Sequence, residues 1–595
     1  MELEDYPNLV AMLLRQAAQK NDLPFLWEKR DGTYRSMSWR EAADQTLALA
    51  SALSGFGLKP GDRVLVLAQN SPRWAIADFG IMAAGGVSVP VYTTNTVESH
   101  EHILNDSGAT MAIVSSAALA KNFLPAAKKA RSLKRIIAME DFDGADAGRT
   151  TITAWNEALA VGKPGAATLA ASATAIDRNA LACLIYTSGT GGDPKGVMLS
   201  HRAIMANCVG AQNVLQELGL DDEVFLSFLP LSHAYEHTAG LMFPVALGAQ
   251  IYFAERIDTL SANLLEARPT IMTAVPRLYD IFRERMIKGL AQQPQYARWL
   301  FWKAVELGRK RYESPELMTF ADGLVDRTAE KLVRGKIRAR FGGRLKALVS
   351  GGAALDYDVG VFFVALGVRL LQGYGQTEAA PVIAVNLCNR VKLRTVGPPM
   401  KLVEAKIADD GEILVRGPML MDGYWNQPKL TQQTIRDGWL HTGDIGVLDH
   451  DGYLQITDRK RDIIVNSAGD TISPARIENA LALEPEIEAA VAVGGDDRAH
   501  IVAIVVPATQ FAHDWAKRNG RACELAALAG DKDFRAAIGR AVDRTNARLG
   551  AHERVRRFVL AEEPFTIENG MMTPTLKSRR HAVLKRWGRL LEQTH

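Results

Sequence analysis

Cysteine is scarce in this chain: four in 595 residues, at Cys183, Cys208, Cys388 and Cys523, with no CxxC pair. That spacing leaves no case for structural zinc and fits free thiols in a reducing compartment. No run of about 18 apolar residues occurs, so no membrane-spanning helix is expected. The opening MELEDYPNLVAMLLRQ is acidic before a short apolar stretch, which is not the pattern of a secretory signal. A cytoplasmic protein is expected, with peripheral contact at a membrane left open. Charge of one sign is also lacking, the formal net value being +3. A dedicated nucleic-acid binder would concentrate a basic face, so no nucleic-acid partner is expected. Lys and Arg do gather at 334–344 and 577–586, and solvated helix faces account best for the first cluster. There is no internal repeat and no low-complexity tract.

What is present reads as a soluble globular chain, 47% hydrophobic and 23% charged. Its length exceeds what one hydrophobic core serves, so at least two domains are expected. An apolar run at 64–68 predicts a strand buried on both faces, followed by a helix over 72–84 and a second β-rich run at 87–92. Strand, helix and strand within about 30 residues is the grammar of a parallel βαβ unit. Similar strands are expected at 111–114, 135–139, 250–253, 270–275 and 347–350, with a largely helical stretch over 277–340. The fold class predicted is α/β: a large N-terminal domain of layered parallel sheets with helices, plus a small β-rich lobe after about residue 400. Short strands at 412–416 and 443–448 mark that lobe. A compact α+β C-terminal segment follows, with facing runs at 489–493 and 501–506. The boundary is placed between 1–457 and 458–595, where Asp458-Arg-Lys-Arg461 reads equally as a hinge or a plain surface loop.

The densest chemistry lies in Thr187-Ser-Gly-Thr-Gly-Gly-Asp-Pro-Lys195-Gly196, which packs three hydroxyls, four glycines and one lysine into ten residues. Glycines let successive backbone N–H groups converge on an anion, hydroxyls add donors, and lysine adds charge. A Walker A loop would end in Gly-Lys-Ser/Thr, but Pro194 precedes Lys195 and Gly196-Val197 follow. A dinucleotide fingerprint would need glycine where Pro194 stands. A flexible surface loop is the plain alternative.

Tyr186–Gly196 resembles the phosphate-binding signature of the adenylate-forming superfamily, whose members include acyl-CoA synthetases, luciferases and peptide-synthetase adenylation domains. Further signatures follow in family order over most of the chain: Ser350-Gly-Gly-Ala-Ala-Leu355, Gln372-Gly-Tyr-Gly-Gln-Thr-Glu378, Gly438-Trp-Leu-His-Thr-Gly-Asp444, Asp458-Arg459 with Ile472-Ser-Pro-Ala-Arg-Ile-Glu478, and Met572-Thr-Pro-Thr-Leu-Lys577. The resemblance implies an ATP site built from Thr187, Ser188, Gly189, Thr190, Gly191, Lys195, Gly352, Gln372, Gly373, Tyr374, Gly375, Thr377, Asp444 and Arg459. Within it Tyr374 would stack on adenine, Asp444 would accept from the ribose hydroxyls, and Thr377 would donate to the α-phosphate. Glu378, with Thr187, would hold Mg²⁺, a hard ion suited to carboxylate and phosphate oxygens. Lys577 would be catalytic with Thr377 and Glu378, neutralising charge as carboxylate meets phosphate. Gly191 and Asp193 depart from the family pattern, and an altered ATP affinity is expected.

The long-chain branch of acyl-CoA synthetases is suggested by Leu229-Pro-Leu-Ser-His-Ala-Tyr-Glu236, by Val275-Pro-Arg-Leu-Tyr279 and by the helical 277–340 stretch. His233 would stand at the carboxylate end of the acyl pocket, although a satisfied core histidine fits equally. Gly240 is a small residue that would leave room for the chain. Ser467 and Gly469 would help form the CoA tunnel, and Asp458 and Arg461 would flank the hinge. The expected reaction is ATP-dependent formation of an acyl-AMP from a long-chain fatty acid, then transfer to CoA, with no prosthetic group. Competing readings are a ligase serving a carrier-protein pantetheine, a luciferase-like oxidative enzyme, and a non-catalytic nucleotide- or acyl-binding scaffold.

Overall fold

The computed structural model describes residues 3–142, 145–187, 194–460, 464–465, 471–495, 498–566, 569–573 and 578–592. Three sheets share the chain up to residue 459. The first has eight strands in the order Gly423–Tyr424, Lys195–Ser200, Leu181–Thr187, Val87–Pro90, Arg63–Leu67, Met111–Val114, Arg135–Ala138 and Thr151–Ala154. Its strands from Leu181–Thr187 to Thr151–Ala154 are parallel, while Lys195–Ser200 and Gly423–Tyr424 add antiparallel strands at one edge. Val64, Leu65, Val66 and Leu67 are fully buried, as an apolar run covered on both faces requires. Each such side chain contributes roughly 1.5–3 kcal/mol by leaving water.

The second eight-stranded sheet runs Val382–Val385, Leu370–Gly375, Ala347–Ser350, Ile271–Ala274, Val224–Ser227, Gln250–Phe253, Pro24–Arg30 and Thr33–Ser38. Its middle is parallel and both ends close with antiparallel pairs, Leu370–Gly375 with Val382–Val385 and Pro24–Arg30 with Thr33–Ser38. Helices start where the side chains dictate. Ser38 and Glu41 make a capping box for Trp39–Gly55, Ser71 caps Pro72–Ala83 with proline in its first turn, and Ser200 caps His201–Leu215. A five-stranded, antiparallel sheet forms the smaller lobe, centred on Glu412–Arg416 and Trp439–Leu448 and edged by Leu454–Arg459.

After 460 a separate core gathers around Ile487–Gly495, Arg498–Pro507 and Val555–Leu560, with Pro474–Ala482 and Lys532–Asn546 packed on the sheet. The expected strands at 111–114, 250–253, 347–350 and 412–416 stand at those residues, and the others move by a few residues at their ends. The 277–340 stretch is helical, as Pro276–Ala291, Gln295–Glu313, Phe320–Ala329, a π-turn over Glu330–Arg334, and Gly335–Arg340.

Candidate functional site

A cavity of about 580 Å³ opens where the two large sheets, the small lobe and the C-terminal segment meet. One end is polar. Tyr374 stands in the strand Leu370–Gly375, and Asp444 and Arg459 face each other across paired strands of the lobe. The Tyr374 hydroxyl donates to Asp444 Oδ2 at 2.6 Å, and Arg459 Nε lies 3.3 Å from Asp444 Oδ1. Burial first, then the Asp444 charge, pushes the Tyr374 hydroxyl well above the usual phenol range, so it stays protonated and donating. Beneath this trio, Glu412 accepts from Gly443 N–H at 2.9 Å and from Lys460 Nζ at 3.0 Å, and pairs with His441 at 3.2 Å. Burial alone would raise the Glu412 carboxyl. The Lys460 ammonium, with the Gly443 and His441 bonds, outweighs that and holds it below the usual range.

The donor-rich segment is clamped at both ends. Thr187 pairs with Lys195 across antiparallel strands. Tyr186 donates to Asp106 Oδ2 at 2.7 Å, and His102 Nε2 lies 2.9 Å from the Pro194 carbonyl. The edge strand Gly423–Tyr424 then sets a tyrosine between two charged groups. The Tyr424 hydroxyl donates to Glu378 Oε1 at 2.7 Å, and Lys195 Nζ lies 5.5 Å from the centre of its ring. Gly375 is required by space, since a Cβ there would fall 1.9 Å from the Pro381 carbonyl oxygen.

The other end of the cavity is apolar, lined by Ala211, Val214, Leu215, Phe225, Phe243 and Ile271 among others. His233 lines the cavity as well. Its Nδ1 accepts from Tyr235 N–H at 3.2 Å, which assigns the neutral ring's proton to Nε2. Nearby, the fully buried Glu236 accepts from the Thr273 hydroxyl at 2.6 Å, and burial pushes its carboxyl up to about 7.

The AMP-binding enzyme family pattern matches residues 13–425, and that of the AMP-binding enzyme C-terminal domain matches 461–594. The chain belongs to the AMP-binding enzyme family. It is similar to long-chain-fatty-acid–CoA ligase FadD15 of Mycobacterium bovis, at 32% identity covering 99% of this chain and 97% of that protein. It is also similar to human long-chain-fatty-acid–CoA ligase 1, at 30% identity covering 97% and 85%. Two solved structures share the fold at 21% identity. The A domain of carboxylic acid reductase from Segniliparus rugosus, in complex with AMP and a co-purified carboxylic acid, aligns with a TM-score of 0.73 over 98% of this chain and 94% of that one. The anthranilate CoA ligase AuaEII, in complex with anthranoyl-AMP, aligns at 0.72 over all of both chains.

Within this AMP-binding enzyme, Thr187, Lys195, His233, Gly352, Gly373, Tyr374, Gly375, Thr377, Glu378, Asp444 and Arg459 line one cavity, although they are scattered over 273 positions of sequence (187 to 459). Three expected site residues stand elsewhere, among them Asp458, which pairs with Ile445 in the sheet of the small lobe. Gln372 is buried and donates to the Leu393 carbonyl at 2.5 Å, bracing the strand that carries Tyr374. Gly240 makes room for a carboxylate instead of an alkyl chain: a Cβ there would meet the Glu236 carboxyl at 2.4 Å, and Ala239 is the neighbour that reaches the cavity. Ser188, Gly189, Thr190, Gly191, Asp193, Arg461, Ser467, Gly469 and Lys577 lie outside the described residues. Thr573, Ser578 and Arg579, on either side of Lys577 in sequence, line the same cavity.

Tyr424, Gln376 and Thr442 also line it and were not expected. Tyr424 had one signal in the sequence, an aromatic pair Tyr424-Trp425 directly after Gly423, but its place beside Glu378 depends on a strand pairing across 227 positions (Val197 to Tyr424). Among the described residues no group of three or more His, Cys, Asp and Glu could hold a metal. A lone Glu378 near the donor-rich segment's Lys195 nevertheless suits Mg²⁺, which favours one or two carboxylates together with substrate phosphates and water.

Proposed function

We propose that this AMP-binding enzyme activates a long-chain fatty acid with ATP and passes the acyl group to CoA. In the first half-reaction a carboxylate oxygen attacks the α-phosphorus, the bond to the β-phosphate oxygen breaks, and pyrophosphate leaves behind an acyl-AMP. In the second, the CoA sulfur attacks the acyl carbonyl and the bond to the AMP oxygen breaks, giving the thioester and AMP. The observation that carries this reading is a single cavity whose polar end holds Tyr374, Asp444, Arg459 and Lys195 and whose other end is apolar. Nucleotide and alkyl chain then meet at His233 and Thr377.

Asp444 accepts from the ribose hydroxyls, Arg459 keeps Asp444 oriented, and the Tyr374 ring covers adenine while its hydroxyl braces the same carboxylate. Thr377 donates to the α-phosphate. Lys195 meets the terminal phosphates. Glu378 and Thr187 would hold Mg²⁺, which when bound neutralises phosphate charge. The Tyr424 hydroxyl donates to the Glu378 carboxylate and would orient it for that role. Lys577 bridges carboxylate and phosphate, Ser467 and Gly469 serve the pantetheine path, and Asp458 and Arg461 bound the turning point between the half-reactions. The apolar end supports a long acid, since each CH₂ buried contributes about 0.8 kcal/mol. The four cysteines are free thiols, as suits a reducing cytoplasm.

Pyrophosphate release from ATP, measured over a ladder of fatty acids from short to long, tests the proposal. Release should depend on the acid and rise towards long chains. No release with any acid would overturn it.

A further inference from the structure

The helix Val97–Ser107 starts at Thr96, whose hydroxyl accepts from Ser99 N–H, and carries His102 and Asp106 one turn apart on one face. Neither residue lines the cavity, yet both reach the strands that do. His102 Nε2 lies 2.9 Å from the Pro194 carbonyl, which can only accept, so that nitrogen carries a proton and donates. Asp106 Oδ2 accepts from the Tyr186 hydroxyl at 2.7 Å. Tyr186 precedes Thr187 and Pro194 precedes Lys195, and Thr187 and Lys195 pair with each other across the two strands. One helix face therefore holds the chain directly before each of these two cavity residues.

The main-chain carbonyl of Asp106 holds a third strand. It accepts from Trp425 Nε1 and from Asn426 Nδ2, each at 3.0 Å. Trp425 N–H donates in turn to the Gly196 carbonyl at 2.8 Å, and Tyr424 before it pairs with Val197. The Tyr424 hydroxyl is the group that donates to Glu378. These pieces close on Gly196, where a Cβ would fall 3.1 Å from Tyr186 Cζ and 3.3 Å from Trp425 Cβ. Arg63 adds a clasp: its Nε donates to the Ser107 carbonyl at 2.6 Å, and its guanidinium lies 5.1 Å from the centre of the Trp425 ring. Thr187, Lys195 and the brace on Glu378 are thus all referred to the last turn and a half of one helix. The helix does not need these contacts to stay in place, because His100, Ile103, Leu104 and Ser107 already bury its inward stripe. Tyr374, Asp444 and Arg459 take their support from the small lobe instead.

We propose that His102 and Asp106 are positioning residues for the β- and γ-phosphates of ATP, fixing Thr187, Lys195 and the Glu378 carboxylate relative to one another. This rests on the ATP reading of the cavity. Loss of the helix contacts should weaken ATP and spare AMP, whose adenosine meets the residues held by the small lobe. The test is isothermal titration calorimetry of the full chain with ATP and with AMP, Mg²⁺ being present. Asp106→Ala should lose about tenfold in ATP affinity, as for a hydrogen bond to a charged acceptor, and His102→Ala about fivefold. Both should bind AMP within about twofold of wild type, as for a change at a separate site. Asp106→Asn keeps an oxygen to accept from Tyr186, and His102→Gln keeps an N–H donor. Each should recover ATP affinity to within about threefold of wild type. Tyr186→Phe should match Asp106→Ala, and the double variant should lose little more than either, because both remove the same bond. Unchanged ATP affinity in both alanine variants would overturn the proposal. So would equal losses for ATP and AMP, the mark of a helix that only keeps the fold together. A wild type that binds neither nucleotide would remove the ATP reading itself, and the proposal with it.

Discussion

At the scale of single residues, Asp444 is where the polar end of the cavity converges, because its two oxygens are committed to different partners. Oδ2 accepts from Tyr374 and Oδ1 faces Arg459. Tyr374→Phe keeps the ring and removes only the donor. A hydrogen bond to a charged acceptor contributes about 1.5 kcal/mol or more, so KM for ATP should rise about tenfold with a smaller change in kcat. Asp444→Asn removes the charge that faces Arg459 and, on the proposed reading, would serve the ribose; roughly a hundredfold loss in kcat/KM for ATP is expected. Steady-state kinetics with ATP varied at saturating acid checks both, and equal, small effects would remove Asp444 from the ribose role. The place of these two residues in one cavity was legible in the sequence because each sits in a motif. Tyr424 was not, because nothing local distinguishes a tyrosine that braces Glu378 from any half-buried tyrosine. Gln372 shows the converse: it lies inside the motif, yet its amide supports the backbone from behind.

At the scale of elements, the π-turn His237–Met242 explains why Gly240 could not be read as an acyl-pocket residue. An apolar run with small residues looks like a channel wall. The wider π-turn instead presses Gly240 against the carboxyl of Glu236, whose Oε2 accepts from Thr273. Buried strands such as Met111–Val114 were legible to the residue, because being covered on both faces forces a continuous apolar run. A π-turn leaves no periodic trace, and neither do the antiparallel edges that close each large sheet. Glu236 also makes a prediction. Its carboxyl is raised from 4.5 to about 7 by burial, so the folded protein holds a proton that the unfolded chain has already released. Stability therefore falls as pH rises from about 4.5 to about 7 and levels above that, by about 3 kcal/mol at most. Glu236→Gln removes the titration and keeps the shape, so its urea-unfolding midpoint should depend less on pH over that window than that of the wild type. Parallel pH profiles for the two proteins would show that Glu236 is ionised in the folded state.

At the scale of the whole molecule, the cavity belongs to no single sheet: its walls come from both large sheets, from the lobe that carries Asp444, and from Thr573, Ser578 and Arg579 of the C-terminal segment. The C-terminal segment meets the polar end, where adenylation would occur, and the chain reaches it through the pinned Arg459 and Lys460. The four charges at 458–461 looked unanchored in the sequence. The structure ties Lys460 to Asp410 and Glu412, a pairing that only tertiary contact could reveal. If Lys577 serves the first half-reaction from this side of the cavity, its removal should separate the two halves. Lys577→Ala should slow ATP–pyrophosphate exchange by about 10²–10⁴, a loss of roughly 3–5 kcal/mol of transition-state stabilisation. Transfer from supplied acyl-AMP to CoA should stay within a few fold of wild type, because on the proposed division of labour the lysine is turned away from the cavity in that half-reaction. That retained activity also shows that the variant is folded. Equal loss in both assays would mean that Lys577 holds the cavity together in both half-reactions, and a division of labour between two arrangements of the C-terminal segment would have to be abandoned.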